Sequence, residues 1–206
     1  GIAKHILLIN ADTYSKYINK NDRSTKFLFG DAASVSYIKK SNDNKGIIGF
    51  RSSTSGKNYK KFIIPAGGAR IPKSIETSSV IKDKSGSERS SENIHMDGMG
   101  IFVFVNSKVP KQINLLLNEH SLSTKDIDLF IFHQASKLAI DSLIKILKID
   151  KDRVFTNINS VGNTVSASIP IALKDATSAG KIKEGDKVLC SGFGVGLSWS
   201  TCIIQY

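Results

Sequence analysis

Two polar residues, His133 and Asn163, stand where predicted strands give way to predicted helices, and side chains in such places can bind a ligand or take part in a reaction. His133 follows the apolar run 129–132, and apolar residues recur at helical spacing across 134–148. Asn163 follows the strand-like run 154–158 and a glycine turn, again ahead of a predicted helix. The carboxyl ends of strands form the ligand-binding edge of open α/β sheets. We therefore expect His133 and Asn163 to share one site.

Each of these residues also has a purely structural interpretation. A histidine at a strand end is often a hydrogen-bonded core residue, and Asn163 alone could cap the helix that follows it. The other histidines, His5, His95 and His120, lack partners at any recognisable spacing, and we expect them to be structural or exposed. No cluster of residues has the spacing of metal ligands, so no metal site is predicted.

The composition is that of a globular chain with a basic surface. Of its 206 residues 40% are hydrophobic, and the formal net charge is +11. The apolar runs are far shorter than the ~20 residues of a membrane span, and no signal peptide opens the sequence, so we expect no membrane association and a cytoplasmic location. The lysines are scattered and no nucleic-acid-binding motif is present, so nucleic-acid binding is not predicted. A solvated surface, or attraction to an acidic protein or a phosphorylated carrier, explains the charge.

Strands and helices alternate along most of the chain, which predicts an α/β fold with helices packed on the faces of a sheet. Strand-like runs lie at residues 1–10, 26–31, 32–38, 47–51, 127–132, 154–158, 187–192 and 198–205, and helices are predicted at 109–118, 134–148 and roughly 164–179. Pro170 indicates that the last helix begins near Ser166 or Ser168. Residues 52–94 are irregular and rich in Ser, Lys, Gly and Asn, as in a functional loop region. Because the sequence opens directly on a buried-type strand, we expect a segment to be missing upstream.

Three motifs occur in a fixed order: Phe132-His133-Gln134-Ala135, Gly162-Asn163-Thr164 and Gly192-Phe-Gly-Val-Gly-Leu-Ser-Trp199. Together they resemble the C-terminal part of a β-ketoacyl-acyl-carrier-protein synthase III, a condensing enzyme of the thiolase fold. The resemblance covers nearly the whole chain and includes the segment from Arg23 to Ala33. It implies a layered α-β-α-β-α fold, usually dimeric, with a Cys-His-Asn active site. Residues 1–48 would end the N-terminal half, and residues 49–206 would form the C-terminal half.

The resemblance implies a role for each polar group in a decarboxylative Claisen condensation. A cysteine thiolate takes an acyl group from a thioester, and loss of carbon dioxide from a malonyl thioester supplies the attacking carbanion. His133 Nε2–H and the Asn163 amide would donate to the malonyl thioester oxygen, each donor being worth on the order of 3–4 kcal/mol of barrier. The backbone N–H of Val195, in the glycine-rich turn, would donate to the oxyanion of the acyl-enzyme.

Substrate and carrier contacts follow from the same resemblance. The acyl and pantetheine pocket would be lined by Arg23, Phe102, Ser136, Phe193 and Gly194. No bound cofactor is implied, since the substrates are carried on coenzyme A or phosphopantetheine. The basic helix face of Lys137, Lys145 and Lys148 would dock an acidic acyl carrier protein, with a merely solvated face as the alternative.

Several departures from the family pattern bear on the acyl donor. Ser136 and Leu138 stand where the family usually has Asn and Arg, and Val103 stands at a family lysine. Arg23 matches an arginine that contacts coenzyme A, but Ser24 replaces the glycine beside it. These changes weaken coenzyme A as the donor and favour a carrier protein.

Neither Cys190 nor Cys202 occupies the place of the family's nucleophile, which lies upstream of the strand that residues 6–9 resemble. We therefore expect a fragment that is inactive alone, and buried free thiols rather than a disulfide. Cys190 also begins a Cys-x-Gly-x-Gly-x-Gly turn like that of thiolases, but those enzymes have a histidine where this chain has Asn163. The remaining alternatives are a type III polyketide synthase, a relative diverted to a specialised product, and a non-catalytic partner that binds acyl chains or completes a heterodimer.

Overall fold

The computed structural model describes residues 3–41 and 45–206, so the first two residues of the predicted opening strand lie outside it. The strands are β1 (His5–Asp12), β2 (Ala32–Lys39), β3 (Gly46–Thr54), β4 (Phe62–Ile63), β5 (Ile81–Lys82), β6 (Glu88–Arg89), β7 (His95–Met96), β8 (Leu129–Phe132), β9 (Val154–Phe155), β10 (Lys187–Gly194) and β11 (Ser198–Gln205). The α-helices are α1 (Ile75–Ser78), α2 (Gly98–Glu119), α3 (Lys137–Leu147), α4 (Ile158–Val161) and α5 (Ser168–Ser178). Short 3₁₀ turns lie at Tyr14–Tyr17, Gly56–Lys61, Thr124–Asp126, Lys151–Arg153 and Val165–Ala167.

A mixed five-stranded sheet in the order β3-β11-β10-β8-β9 forms the centre of the structure. β10 pairs with β8, and β8 with β9, in parallel, whereas β11 lies antiparallel to both β10 and β3. The carboxyl ends of β8, β9 and β10 therefore meet at one edge of the sheet. β3 belongs to this sheet from Gly46 onward, so it crosses the predicted boundary between residues 48 and 49.

Alternating side chains of the strands supply two apolar layers, as the period of a β-strand requires. On one face Phe130, Phe132, Leu189 and Phe193 pack against α2 and α3. On the other face Leu129, Ile131, Val188 and Cys190 pack against Ala172 and Ala176 of α5. Burying each large apolar side chain contributes roughly 1.5–3 kcal/mol, and the alanines let α5 approach the sheet closely.

Helix α2 is longer than predicted. The prediction of a helix only over residues 109–118 was wrong, because one helix runs from Gly98 to Glu119 and includes Pro110. Asp97 caps its first turn by accepting a hydrogen bond from the Gly100 N–H. The buried stripe of Val105, Val109 and Ile113 continues through the proline, so packing on the sheet outweighs the backbone hydrogen bond that the proline cannot make.

Helix α3 buries most of the apolar residues that recur at helical spacing. Its buried side chains are Ala139, Ile140, Leu143 and Leu147. Two further apolar residues of that spacing stay exposed, Leu138 at 67% and Ile146 at 44%. Lys137 and Asp141, four residues apart on the surface of the helix, form an ion pair.

β1 and β2 form an antiparallel two-stranded ribbon that packs beside α5 and the 3₁₀ turn at Val165–Ala167. α2 with α3, the sheet, α5 and this ribbon thus follow one another as α-β-α-β layers. The opening strand forms as predicted, but its side chains are exposed on both faces and are not buried. The predicted strand at 26–31 does not form, since only Phe29 makes an isolated bridge there.

Other local predictions are confirmed. The long irregular region holds only short strands, turns and the one-turn helix α1. Ser123 caps its turn reciprocally with Asp126, and α5 begins at Ser168, two residues before Pro170. The thiols of Cys190 and Cys202 are free. None of the helices within residues 3–41 and 45–206 is long and apolar enough to cross a membrane.

Candidate active site

His133 is fixed at the end of β8 by its backbone. The apolar run 129–132 is fully buried, and the His133 N–H continues the parallel ladder by donating to the Ser191 carbonyl of β10 at 2.9 Å. Phe193 of the same neighbouring strand meets the imidazole edge to face, with ring centroids 5.5 Å apart. The strand pairing therefore sets both the position and the tilt of the ring.

Burial makes His133 a neutral imidazole. Removal from water lowers its pKa from 6.5 to about 4, because the charged form loses its hydration. The Nδ1 atom lies 2.6 Å from the Ser168 hydroxyl at the start of α5. In the tautomer with its proton on Nε2, the Ser168 hydroxyl donates to Nδ1 and Nε2–H is a hydrogen-bond donor.

Asn163 follows a backbone turn that needs glycine. Gly162 has φ +68° and ψ −163°, a combination that glycine adopts without steric cost. The Asn163 backbone exchanges hydrogen bonds with the segment 28–30, which forms the isolated bridge at Phe29. A side chain at Gly30 would overlap the Val161 carbonyl oxygen. The close contact between the turn at 28–30 and the turn at 161–163 thus fixes the position of Asn163.

The side-chain amide of Asn163 is oriented by two further hydrogen bonds. Its Oδ1 accepts from the Val165 N–H at 3.0 Å, and its Nδ2 lies 3.4 Å from the Ala135 carbonyl. Because Oδ1 is held by a backbone donor, the Nδ2 end of the amide faces the loop that carries His133. The residue is 5% exposed, and it both caps the turn and presents a donor.

Gln134 ties the two strand ends together. This fully buried side chain donates from Nε2 to the Phe132 carbonyl at 2.7 Å and accepts from the Asn157 N–H at 3.2 Å. The Gln134 amide therefore bridges the loop after β8 and the loop after β9. This bridge fixes the segment that carries His133 relative to the segment that leads to Asn163.

Two cavities meet at His133 and Asn163, and both residues line each of them. The first, of about 360 Å³, is bounded by aromatic and aliphatic side chains and by hydroxyl groups, among them Tyr14, Phe62, Ile169 and Trp199. The second, of about 180 Å³, runs between α2 and the start of α3. Phe29, Phe62 and Phe193 line both cavities.

Four of the five predicted pocket residues are brought together. Phe102, Ser136, Phe193 and Gly194 line the smaller cavity. Ser136 also caps α3, since its hydroxyl accepts from the Ala139 N–H. Arg23 lies on an exposed turn and lines neither of the two cavities.

The glycine-rich turn joins β10 to β11 beside the larger cavity. Gly192, Phe193, Gly194 and Val195 all line that cavity, so the turn forms part of its wall. Val195 O accepts from the Ser198 hydroxyl at 2.7 Å, which fixes the turn.

The three predicted docking lysines all lie on α3 or at its end, and none of them lines the two cavities. Lys137 is ion-paired with Asp141. Lys145 is in the last turn, and Lys148 ends the helix in the left-handed conformation with φ 53°. Within residues 3–41 and 45–206, no group of three or more His, Cys, Asp or Glu residues could hold a metal ion.

Gln134 stands in one of the sequence motifs and Ser168 at the predicted start of the last helix, but no role was predicted for either. Ser168 is 35 residues from the imidazole it contacts, so only its place at the start of the last helix pointed toward the site. The aromatic cluster of Tyr14, Phe29 and Phe62, with centroids 5.2–6.2 Å apart, was also missed. Its members come from three irregular segments, which carry no periodic signal.

Comparisons with known proteins identify related families and relatives. The family described as 3-oxoacyl-[acyl-carrier-protein (ACP)] synthase III C terminal matches residues 117–206, and the family described as 3-oxoacyl-[acyl-carrier-protein (ACP)] synthase III matches residues 1–56. The chain is 36% identical over its full length to a β-ketoacyl-[acyl-carrier-protein] synthase III of Caldanaerobacter subterraneus subsp. tengcongensis. It is 37% identical over its full length to one of Clostridioides difficile. The chain spans 60% of the length of each of these relatives.

A solved structure supports the fold. The whole chain superposes on 61% of a crystal structure of a 3-oxoacyl-(acyl-carrier-protein) synthase III, with 34% sequence identity and a TM-score of 0.95. The thiolase-like α/β architecture implied by the sequence motifs is thereby confirmed.

Proposed function

The chain belongs to the 3-oxoacyl-[acyl-carrier-protein] synthase III family, and from this premise we propose that its site serves a decarboxylative Claisen condensation. The acyl donor is an acyl thioester, and the acceptor is a malonyl group on an acyl carrier protein, whose carbanion attacks the acyl carbon after decarboxylation. The product is a 3-oxoacyl thioester for fatty acid or related biosynthesis.

The observation that supports this proposal most directly is the placement of two neutral hydrogen-bond donors where two cavities meet. A neutral His133 with the proton on Nε2, beside the Asn163 amide, stabilises an anion without giving up a proton. Decarboxylation creates an enolate oxygen on the malonyl thioester, and donors aimed at developing charge in a site removed from water lower the barrier most.

The reaction divides between the two cavities. We assign the pantetheine arm to the smaller cavity, because its lining includes no charged side chain and the arm is neutral along most of its length. The acyl group takes the larger cavity, which has apolar walls. The Val195 N–H donates to the carbonyl oxygen of the acyl-enzyme.

The thiolate that accepts the acyl group is neither of the two cysteines in this sequence. Cys190 and Cys202 line neither cavity, and Cys190 packs against α5 on the other face of the sheet from Phe193. A condensation at His133 therefore uses a cysteine supplied from outside these 206 residues.

Partners and location are part of the proposal. An acyl carrier protein docks beside the smaller cavity, where the lysines of α3 attract its acidic surface, and coenzyme A is the alternative carrier. The assembled enzyme is a homodimer in the cytoplasm that needs no metal or resident cofactor. Gel filtration of the native polypeptide tests the dimer.

Among the residues that the structure describes, no cysteine lines either cavity, and this favours one second candidate function. In that case the chain binds acyl thioesters without forming a covalent intermediate, as a non-catalytic partner subunit. Intact-mass analysis after incubation with an acyl-coenzyme A separates the two, because only the condensing enzyme gains the mass of the acyl group.

The test of the proposed function is an assay with the native polypeptide, an acyl thioester and a malonyl carrier protein, with mass detection of the 3-oxoacyl product. The expected result is product formation that His133→Ala abolishes and Lys84→Ala, in the exposed hairpin between β5 and β6, leaves unchanged. Product formed equally by the His133→Ala variant would overturn the proposal.

A further inference from the structure

Two thiols that the proposed reaction does not use face each other across the β10–β11 pair. Cys190 and Cys202 are direct partners in the antiparallel register. Partners of this kind have Cα atoms roughly 4.5–5.5 Å apart, which lies within the roughly 4.4–6.8 Å of native disulfides. Both side chains point to the α5 face of the sheet, and both thiols are free.

The two thiols are chemically unequal. The interaction between these neighbouring thiols lowers the pKa of Cys202 and, together with burial, raises the pKa of Cys190. Cys190 is 4% exposed, whereas Cys202 is only partly buried. Cys202, the more accessible thiol, is thus the one whose thiolate is stabilised. Cys190 lies directly beside it, in the position of a resolving cysteine that forms the disulfide.

We propose that Cys190 and Cys202 form an oxidation site, at which a peroxide converts the pair into a reversible intrachain disulfide. The site lies outside the condensing machinery and does not depend on the proposed function.

The chemistry proceeds in two balanced steps. The Cys202 thiolate attacks one oxygen of hydrogen peroxide, so that an S–O bond forms, the O–O bond breaks, and the leaving hydroxide takes up a proton as water. The Cys190 sulfur then attacks the Cys202 sulfenic acid, so that the S–S bond forms and the second oxygen leaves as water with the thiol proton. Two thiols are oxidised and one peroxide is reduced to two waters, and a dithiol reductant reverses the change.

The disulfide would fix the hairpin that carries the glycine-rich turn. The bond joins the two strands that flank residues 192–199. Most of these residues line the larger cavity. Cross-linking of these strands restricts the unfolded chain and opposes fraying of the hairpin. The oxidised protein is therefore expected to unfold at a higher temperature and to exchange the hairpin amides more slowly.

The experiment is peroxide titration of the native polypeptide, followed by thiol alkylation and peptide mapping. A few equivalents of hydrogen peroxide should give a peptide pair joined through Cys190 and Cys202, lighter by two hydrogen atoms and restored by dithiothreitol. The Cys190→Ser variant should stop at a Cys202 sulfenic acid that dimedone captures. The Cys202→Ser variant should leave Cys190 as a thiol.

Two outcomes would overturn the inference. One is oxidation of Cys202 in the unmodified protein to sulfinic or sulfonic acid without the cross-link, and the other is survival of both thiols under peroxide that oxidises a small dithiol. Peptide mapping of the protein that keeps both cysteines shows whether the disulfide forms, even if a serine variant fails to fold.

Discussion

The imidazole of His133 loses most of its hydration when the chain folds, and nothing charged replaces that water, so its pKa falls from 6.5 to about 4. The residue can then donate a hydrogen bond over the whole neutral range. Proton transfer is not needed for the proposed role, since the enolate oxygen requires a donor and not an acid. A titrating group beside His133 would make the strength of this donor depend on pH. Asn163 carries no titrating group, so the donor strength stays the same across the neutral range.

The first prediction concerns pH. The unfolded state binds a proton at His133 below about pH 6.5, whereas the folded state does so only near pH 4. The contribution of His133 to stability is therefore complete above pH 6.5 and is lost as the pH falls toward 4. NMR of the ring protons should show no titration of His133 between pH 5 and 8, and His133→Gln should remove its part of the acid destabilisation. A titration centred near 6.5 would contradict the account.

The second prediction concerns Ser168, a positioning residue. Its hydroxyl, 2.6 Å from Nδ1, selects the ring tautomer with the proton on Nε2. Loss of one such hydrogen bond is worth about 1 kcal/mol, so Ser168→Ala should lower kcat about fivefold and leave KM unchanged. Ser168→Thr, which keeps the hydroxyl, should restore most of kcat. Equal effects of both variants on KM and kcat would indicate a merely structural residue.

At the scale of elements, the site depends on the contact between the turn at 28–30 and the turn at 161–163. Gly30 donates its N–H to the Asn163 carbonyl, and Asn163 donates to the Leu28 carbonyl, each at 2.9 Å. This pair of hydrogen bonds joins a segment near the ribbon to the turn after β9, so the position of Asn163 is set by chain more than 130 residues away.

The third prediction follows from that contact. Gly30→Ala places a Cβ against the Val161 carbonyl oxygen, and overpacking of this kind costs typically about 1–3 kcal/mol. We expect a lower unfolding temperature and a larger loss of kcat than stability alone explains, because the Asn163 amide moves. Gly56→Ala is the matched control, since a Cβ there meets nothing within 4 Å. Equal effects of the two substitutions in thermal unfolding would refute the role of this contact.

The sequence predicted the strands and helices whose apolar residues recur with a clear period. It missed the features that depend on tertiary packing. The strands around His133 and at 198–205 follow from apolar runs, and the start of α5 follows from Pro170. The helix was predicted only over residues 109–118, whereas α2 begins at Gly98, because its buried stripe packs on the sheet along the whole length. The helical spacing of Leu138 is compatible both with burial against the sheet and with a place at the smaller cavity. The packing of α3 puts Leu138 at the cavity.

The same limits apply to the site. His133, Asn163 and the glycine-rich turn could be predicted, because each follows a recognisable strand in a motif of fixed order. Ser168 and Gln134 could not be assigned roles, since hydrogen bonds between loops leave no pattern in a single sequence. Four of the five predicted pocket residues line the smaller cavity, whereas Arg23 lies apart from it.

At the scale of the whole molecule, the outer face of the β1–β2 ribbon is an exposed apolar patch. Leu7, Ile9, Val35 and Tyr37 point to one side in the antiparallel register and are 59–66% exposed. A contiguous apolar surface of this kind marks an interaction site or a tendency to associate.

The fourth prediction is that the 206-residue polypeptide, studied alone, self-associates through this face. Leu7→Lys combined with Ile9→Lys should reduce the binding of a hydrophobic dye and shift the polypeptide toward monomer in analytical ultracentrifugation. Ile75→Lys is the control, because this exposed side chain lies on the short helix α1, away from the ribbon. Association that persists in the ribbon variant would place the interface elsewhere.

The measurement that tests the central claim most directly is the rate of malonyl-thioester decarboxylation in His133→Ala and Asn163→Ala variants of the native polypeptide. Acyl transfer to the enzyme is followed in parallel as the control. If both side chains donate to the enolate oxygen, each variant should lose about 10²–10³-fold in decarboxylation and keep most of its acyl transfer. Decarboxylation that continues unchanged in either variant would contradict the account.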